Sequence, residues 1–262
     1  MNVNYEGANF KCGINSSIER HLIKKSIKTR IAKILGKTYQ KDFYLDFTSK
    51  ILSKKKSSII VDVGSNIGTT VLPLAIKYPK AKFYSIEPHP LPASRFITNC
   101  EVNKVKNVTL ISTAIGEKSE LAFIHTCPNN SGGHRLTGFK GREDIEKIPC
   151  FGPIVVPLKP LEEIFDKFQI KKCDLLKIDT EGYEFYVLKS LKNHLQKKCV
   201  KYVVAEYGPE GMRKTKKSGW DLISLMIEKG YQCKIFGSDK LIASEKDVPR
   251  IADFSVIDLL FF

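Results

Sequence analysis

No C-x-x-C pair occurs among the seven cysteines, and their odd number and scatter argue against a disulfide framework or a structural zinc site. They fit a reducing compartment. The start, Met1 to Glu6, lacks the basic-then-apolar pattern of a secretory signal, and no apolar run is long enough to span a bilayer. The chain therefore reads as cytoplasmic. Internal repeats, low-complexity tracts and a G-x-G-x-x-G dinucleotide fingerprint are also missing. Acids are in short supply: 28 Asp and Glu stand against 43 Lys and Arg, a formal charge of +15. That balance favours encounter with phosphates, anionic lipids or acidic substrates. What is present, 262 residues of which 42% are hydrophobic, suits one α/β domain with an appendage.

The appendage, residues 1–56, reads as an N-terminal helical extension. Ser16 to Glu19 has the form of a capping box, and Ile14, Ile18, Leu22, Ile27, Ile31 and Leu35 follow at near-helical spacing up to Gly36. Arg20, Lys24, Lys25 and Lys28 make the other side basic, so residues 14–35 suit either packing on the main domain or contact with an anionic membrane or RNA. A second helix is expected from about 39 to 52. From 57 to 262, strands and helices alternate, which predicts an α/β fold with a doubly wound, mostly parallel sheet of seven strands. Strands are expected near 59–63, 82–87, 108–113, 173–179, 200–206, 231–236 and 254–260. Helices are expected near 68–77, 90–102, 160–168, 183–194 and 217–229. Between the third and fourth strands, residues 121–125 look like an extra strand, and 127–149 form a long loop containing His134, weighed as a base and set aside.

The chemistry concentrates at strand ends. Ile59 to Val63, then Gly64-Ser65-Asn66-Ile67-Gly68, form a strand and a glycine-bracketed turn; Lys82 to Ile86 form a second strand ending in Glu87-Pro88. Glu87 can accept both hydroxyls of a ribose. Asp62, just before the turn, would repel a pyrophosphate but suits the ammonium of S-adenosylmethionine. Gly64 lets a ligand approach the backbone, and Gly68 lets a helix start tight against the strand. Past the third strand, Ala114 and Ile115 leave a slot for a flat adenine. The fourth strand runs into Asp179-Thr180-Glu181-Gly182-Tyr183-Glu184, and the fifth ends in Glu206. Asp179, Glu181 and Glu206 thus gather where a base, a cofactor contact or a divalent metal site would stand. Glu184 reads as a helix N-terminal charge.

The segments VDVGSNIGTT (61–70), IEPHP (86–90), NNSGG (129–133), VPLKPLEEIF (156–165) and LLKIDTEGYEFYVLKS (175–190) resemble the FkbM family of S-adenosylmethionine-dependent methyltransferases. The resemblance implies a class I methyltransferase fold, in which the last strand inserts antiparallel, and O-methylation of a hydroxyl on a sugar or natural-product-like acceptor. It also implies that Asp62, Gly64 and Gly68 shape the methionine end, Glu87 holds the ribose, Ala114 borders the adenine, and Asp179 and Glu181 face the reacting centre. Two other readings stay open at this level. One is an RNA or RNA-cap methyltransferase using the basic surface, although no Asn-Pro-Pro-Tyr motif for exocyclic amines is present. The other is a non-catalytic binding protein on the same scaffold. The acceptor, a metal requirement and the oligomeric state are not written in the sequence.

Overall fold

The computed structural model describes residues 2–12, 17–34, 42–55, 57–125, 135–136, 154–253 and 255–262. The chain opens with β1 (Asn2–Tyr5), β2 (Ala8–Lys11), α1 (Ser17–Ile34) and α2 (Phe43–Leu52). The body continues with β3 (Ile59–Val63), α3 (Leu72–Lys77), β4 (Lys82–Ile86), α4 (Pro90–Val102) and β5 (Val108–Ile111). Next come β6 (Ala114–Ile115), β7 (Glu120–His125), β8 (Arg135–Leu136), β9 (Ile154–Lys159), α5 (Leu161–Lys167) and β10 (Cys173–Ile178). The chain ends with α6 (Glu184–Lys189), α7 (Lys192–Gln196), β11 (Val200–Tyr207), α8 (Pro209–Lys214), α9 (Gly219–Glu228), β12 (Cys233–Ile235) and β13 (Ile257–Phe261).

Seven strands form the central sheet in the order β12-β13-β11-β10-β3-β4-β5. β5, β4, β3, β10 and β11 run parallel, and β13 lies antiparallel between β11 and β12. β3 is followed by β4 on one side, and the chain later returns to place β10 on the other. The order therefore reverses at β3, which opens a crevice beyond the carboxyl ends of β3 and β10. β10 is buried along its whole length, as a central strand covered on both faces must be.

The N-terminal extension is not purely helical, as expected, but begins with a β-hairpin. Its alternation is simple: Val3, Tyr5, Ala8 and Phe10 are buried, and the residues between them are exposed. Glu6 and Gly7, with φ of 49° and 86°, make the tight turn between them. Those four side chains share a core with Leu45, Phe83, Phe96, Leu175 and Val204, so the extension packs on one face of the sheet. In α1, Leu22 faces that core, while Ile27 is 51% exposed. Ile14, Ser16 and Leu35 lie outside the described residues.

A second sheet, in the order β6-β9-β7-β8, stands where the sequence suggested one extra strand and a loop. Its small core is Ala114, Ile124, Val156 and Leu158. The helix expected over 183–194 is broken into α6 and α7, and the Ser190 hydroxyl beside the break accepts the Leu161 N–H at 3.0 Å. α3 starts four residues later than expected, because 64–71 are held as a loop by contacts described next.

Candidate active site

The loop after β3 is fixed largely by its own backbone and short polar side chains. The N–H groups of Gly64 and Ser65 donate to the Ile86 carbonyl at 2.9 and 3.1 Å. The Ser65 hydroxyl donates to the Asp62 carbonyl at 2.8 Å and accepts the Ile86 N–H at 3.2 Å. Asn66 adopts φ of 49°, and its N–H donates to Glu87 Oε2 at 2.9 Å. Asparagine is among the few residues that tolerate this backbone. Gly64 is required for a different reason from the one its motif suggests: a Cβ there would lie 1.8 Å from the Asp179 carbonyl oxygen. The small residue lets the ends of β3 and β10 close on each other. Gly68 does not open a helix against the strand as expected: α3 begins at Leu72, and a Cβ on Gly68 would meet the Phe96 ring of α4 at 2.5 Å.

Glu87 is 5% exposed, and its second oxygen accepts the His89 N–H at 2.9 Å. Both oxygens are thereby aimed, and each keeps a lone pair for a further donor. Burial pushes its carboxyl up to about 7, against the two N–H donors, which pull it down. His89, fully buried, caps α4 through Nδ1, which accepts the Leu91 N–H at 3.2 Å. Burial holds its imidazole down at about 4, so it is neutral. Asp62 is 1% exposed: Oδ2 accepts the Thr70 hydroxyl at 2.8 Å, while Oδ1 has no hydrogen-bond partner among the described residues. Its carboxyl is raised by burial, with Lys177 acting the other way.

Lys177 is the residue that the motifs did not reveal. It lies across from Asp62 in the β3–β10 register, is 8% exposed, and donates to Asp179 Oδ2 at 2.8 Å. Burial disfavours its charge, yet Asp179 and Asp62 outweigh that and raise its pKa. The available signal was a lone lysine inside the apolar run Leu175-Leu176-Lys177-Ile178, since a lysine in a doubly covered strand needs an acidic partner.

Glu206, at the end of β11, is pushed up to about 9 by burial and by the carboxylates of Asp179, Glu181 and Glu184. It holds a proton at neutral pH. Glu181 sits at φ of 59°, in the left-handed region that a non-glycine residue enters at a cost of about 1 kcal/mol or more. Glu184 does more than add charge to a helix end. It is buried, and one oxygen accepts the Thr180 N–H at 2.8 Å, the Thr180 hydroxyl at 2.9 Å and the Gly182 N–H at 3.2 Å, which fastens the turn that carries Asp179 and Glu181.

These groups meet in one cleft of about 270 Å³. Gly64, Ser65, Asn66, Glu87 and Pro88 line one side, and Asp179, Glu181 and Glu206 line another. Ala114 and Ile115 line it from β6 rather than from the end of the third sheet strand, with Ile86, Ile124 and Leu136 completing an apolar slot. Asp62 and Gly68 are not among the residues that line it; Asp62 meets it through Thr70, whose hydroxyl it accepts. Thr70, Tyr183 and Ile18 of α1 also line the cleft and were not anticipated. His134 lies outside the described residues. Among the described residues, no three His, Cys, Asp or Glu side chains are grouped to hold a metal ion, and an ammonium already occupies the cation position at Asp179.

The residues fit S-adenosylmethionine. A buried carboxylate oxygen lacking a donor matches an ammonium, an aimed glutamate matches a ribose diol, and an apolar slot matches an adenine. The sheet order with its antiparallel β13, together with this strand-end site, defines a class I methyltransferase.

A family model for the methyltransferase FkbM domain matches residues 62–233, and the chain belongs to that family. Methyltransferase 1 of Beauveria bassiana is 26% identical over 171 residues, covering 61% of this chain and 69% of its own length. The hexuronic acid methyltransferase AglP of Haloferax volcanii is 25% identical over 152 residues, covering 58% and 56%. The 2-O-methyltransferase NoeI of Sinorhizobium fredii is 24% identical over 168 residues, covering 61% and 67%.

Proposed function

We propose that this enzyme transfers a methyl group to a hydroxyl oxygen of a sugar or small natural-product-like acceptor, with Asp179 receiving the hydroxyl proton. The observation that supports this most is the placement of Asp179, Glu181 and Glu206 on the rim of the same cleft that Glu87 enters. When bound, S-adenosylmethionine supplies a methyl group already activated by a sulfonium, so the protein mainly has to align the acceptor and remove a proton. Asp62 holds the ammonium end, Glu87 holds the ribose, Ser65 and Asn66 shape the loop between them, and Pro88, Ala114 and Ile115 border the adenine.

Lys177 is a positioning residue here, because its bond to Asp179 fixes one oxygen and leaves the other for the acceptor. Glu206, protonated at neutral pH, has a hydrogen to donate to the acceptor or to Asp179. Its neighbours keep that proton in place by repelling a further negative charge. The names of two similar proteins, a hexuronic acid methyltransferase and a 2-O-methyltransferase, favour a sugar hydroxyl.

The test is incubation of the protein with isotopically labelled S-adenosylmethionine and cell extract, followed by mass spectrometry of the labelled product. A methyl ether on a polyhydroxylated compound is expected. Label on nitrogen, on carbon or in RNA contradicts the reading.

A further inference from the structure

Among the described residues that line the cleft, Tyr183 is the one aromatic side chain, and the methyl-transfer chemistry makes no use of it. Its backbone is tightly held. Gly182, at φ of 106°, has no room for a Cβ, which would lie 2.5 Å from the Gly211 carbonyl carbon, and Glu184 fastens the same turn through the N–H groups of Thr180 and Gly182. Tyr183 is thus delivered to the cleft from a fixed position.

The ring is also backed. Tyr186, the next turn along α6, stacks on it with centroids 4.8 Å apart and planes 30° from parallel. The Tyr186 hydroxyl donates to the Thr215 carbonyl at 3.0 Å, and the Phe185 ring meets Tyr186 edge-on at 5.3 Å, so the backing ring has supports of its own. Tyr183 itself is half-buried. A ring held in this way presents a flat apolar surface that does not have to be ordered when a ligand arrives.

The ring stands at the β6 end of the cleft. Farther along α6, the Lys189 ammonium lies 2.7 Å from Glu117 Oε1, which ties the helix to the turn that follows Ile115. The Tyr183 phenol is pushed up to about 12 by burial first, and then by Tyr186, Glu117 and Glu120. Tyr183 also packs against the hydrophobic cluster to which Ile115 belongs. This is the end at which Ala114, Ile115 and Pro88 leave an apolar slot, otherwise lined by aliphatic side chains.

We infer that Tyr183 is a cofactor-binding residue whose ring stacks on the adenine of S-adenosylmethionine and closes the slot that Ala114 and Ile115 open. The inference rests on the cofactor placement proposed above and adds a partner for the face of the base. Stacking draws on the π-system and the apolar area of the ring, so the hydroxyl is not required for it.

The experiment measures, by calorimetry, the affinity of wild type, Tyr183→Ala and Tyr183→Phe for S-adenosylhomocysteine and for methylthioadenosine, which keeps the adenosine and lacks the amino acid. Tyr183→Ala should weaken both ligands about tenfold, and Tyr183→Phe, which keeps the ring, should stay within about twofold of wild type. Tyr183→Leu keeps apolar bulk without a π-face and should show a loss of the same kind if Tyr183→Ala does not fold. Wild-type affinity without the ring, equal losses in Tyr183→Ala and Tyr183→Phe, or a loss confined to S-adenosylhomocysteine each overturn the inference and leave the methyl-transfer reading intact. A wild type that binds neither ligand overturns the cofactor placement as well.

Discussion

Gly64 and Gly7 have nearly the same φ, +85° and +86°, and opposite surroundings. At Gly64 the Asp179 carbonyl fills the place of a side chain, whereas at Gly7 nothing lies within 4 Å. The two positions typify the two regions that build the cleft. At the strand ends, Asp62, Gly64, Glu87, Lys177 and Asp179 are locked by backbone contacts and by one another. In the N-terminal extension, the hairpin and α1 bring polar groups to the cleft from outside the central sheet. The first region carries the family's motif positions, and the second lies outside the family match over 62–233.

Substitutions should separate the regions, most sharply at the glycines. Gly64→Ala should leave no folded protein, or lower the midpoint of thermal unfolding by more than about 10 °C, because the new Cβ would lie 1.8 Å from the backbone oxygen of Asp179. Gly7→Ala should cost only about 1 kcal/mol, the strain of a left-handed backbone, or several degrees. Equal losses would abolish the distinction. Asp179→Asn should reduce kcat by about 10²- to 10⁴-fold while affinity for S-adenosylhomocysteine changes less than about threefold. Lys177→Met should lower kcat about tenfold, because Asp179 then loses the donor that fixes one of its oxygens. Lys177→Arg, which keeps a donor, should recover most of that loss, whereas a purely structural role would leave the two variants alike.

A pH-dependent effect is expected at Glu206. Its folded-state pKa of about 9 lies above the ordinary value of 4.5, so the folded state holds a proton that the unfolded chain releases. The contribution is fully present below about 4.5 and is lost as pH rises through 9. Glu206→Gln carries no such charge. Its thermal midpoint relative to wild type should therefore climb between pH 5 and pH 9 and then level off. A pH-independent difference would place Glu206 away from the carboxylate group.

Much of the strand-end region was legible in the sequence, because its signals are local. Ile59–Val63 and Pro90–Val102 form the strand and the helix that their spacing predicts, and Asp62 to Gly68 and Glu87 are motif positions. Lys177 was overlooked because its meaning depends on two acids brought beside it by the sheet register. The hairpin had a clear alternation of Val3, Tyr5, Ala8 and Phe10 around Glu6-Gly7, but half its positions are polar and each strand is only four residues long. β9 was hidden by Pro157, which speaks against a strand interior. The structure tolerates it because β6 pairs only with Leu158 and Lys159, leaving Pro157 on an edge of that side. The cleft of about 390 Å³ between the extension and the loop after β3 was illegible, since Tyr5, His21, Lys25, Asp42 and Thr70 share no spacing and meet only after the extension has packed on the sheet.

The central claim, that the strand ends hold S-adenosylmethionine with Glu87 on its ribose, is tested most directly by calorimetric titration of the cofactor into wild type and Glu87→Ala. Two hydroxyl hydrogen bonds to a charged acceptor, at about 1.5–3 kcal/mol each, predict binding weaker by at least about 100-fold at a temperature where the variant is still folded, since it also loses the partner of the Asn66 and His89 N–H groups. Affinity within twofold of wild type would contradict the account.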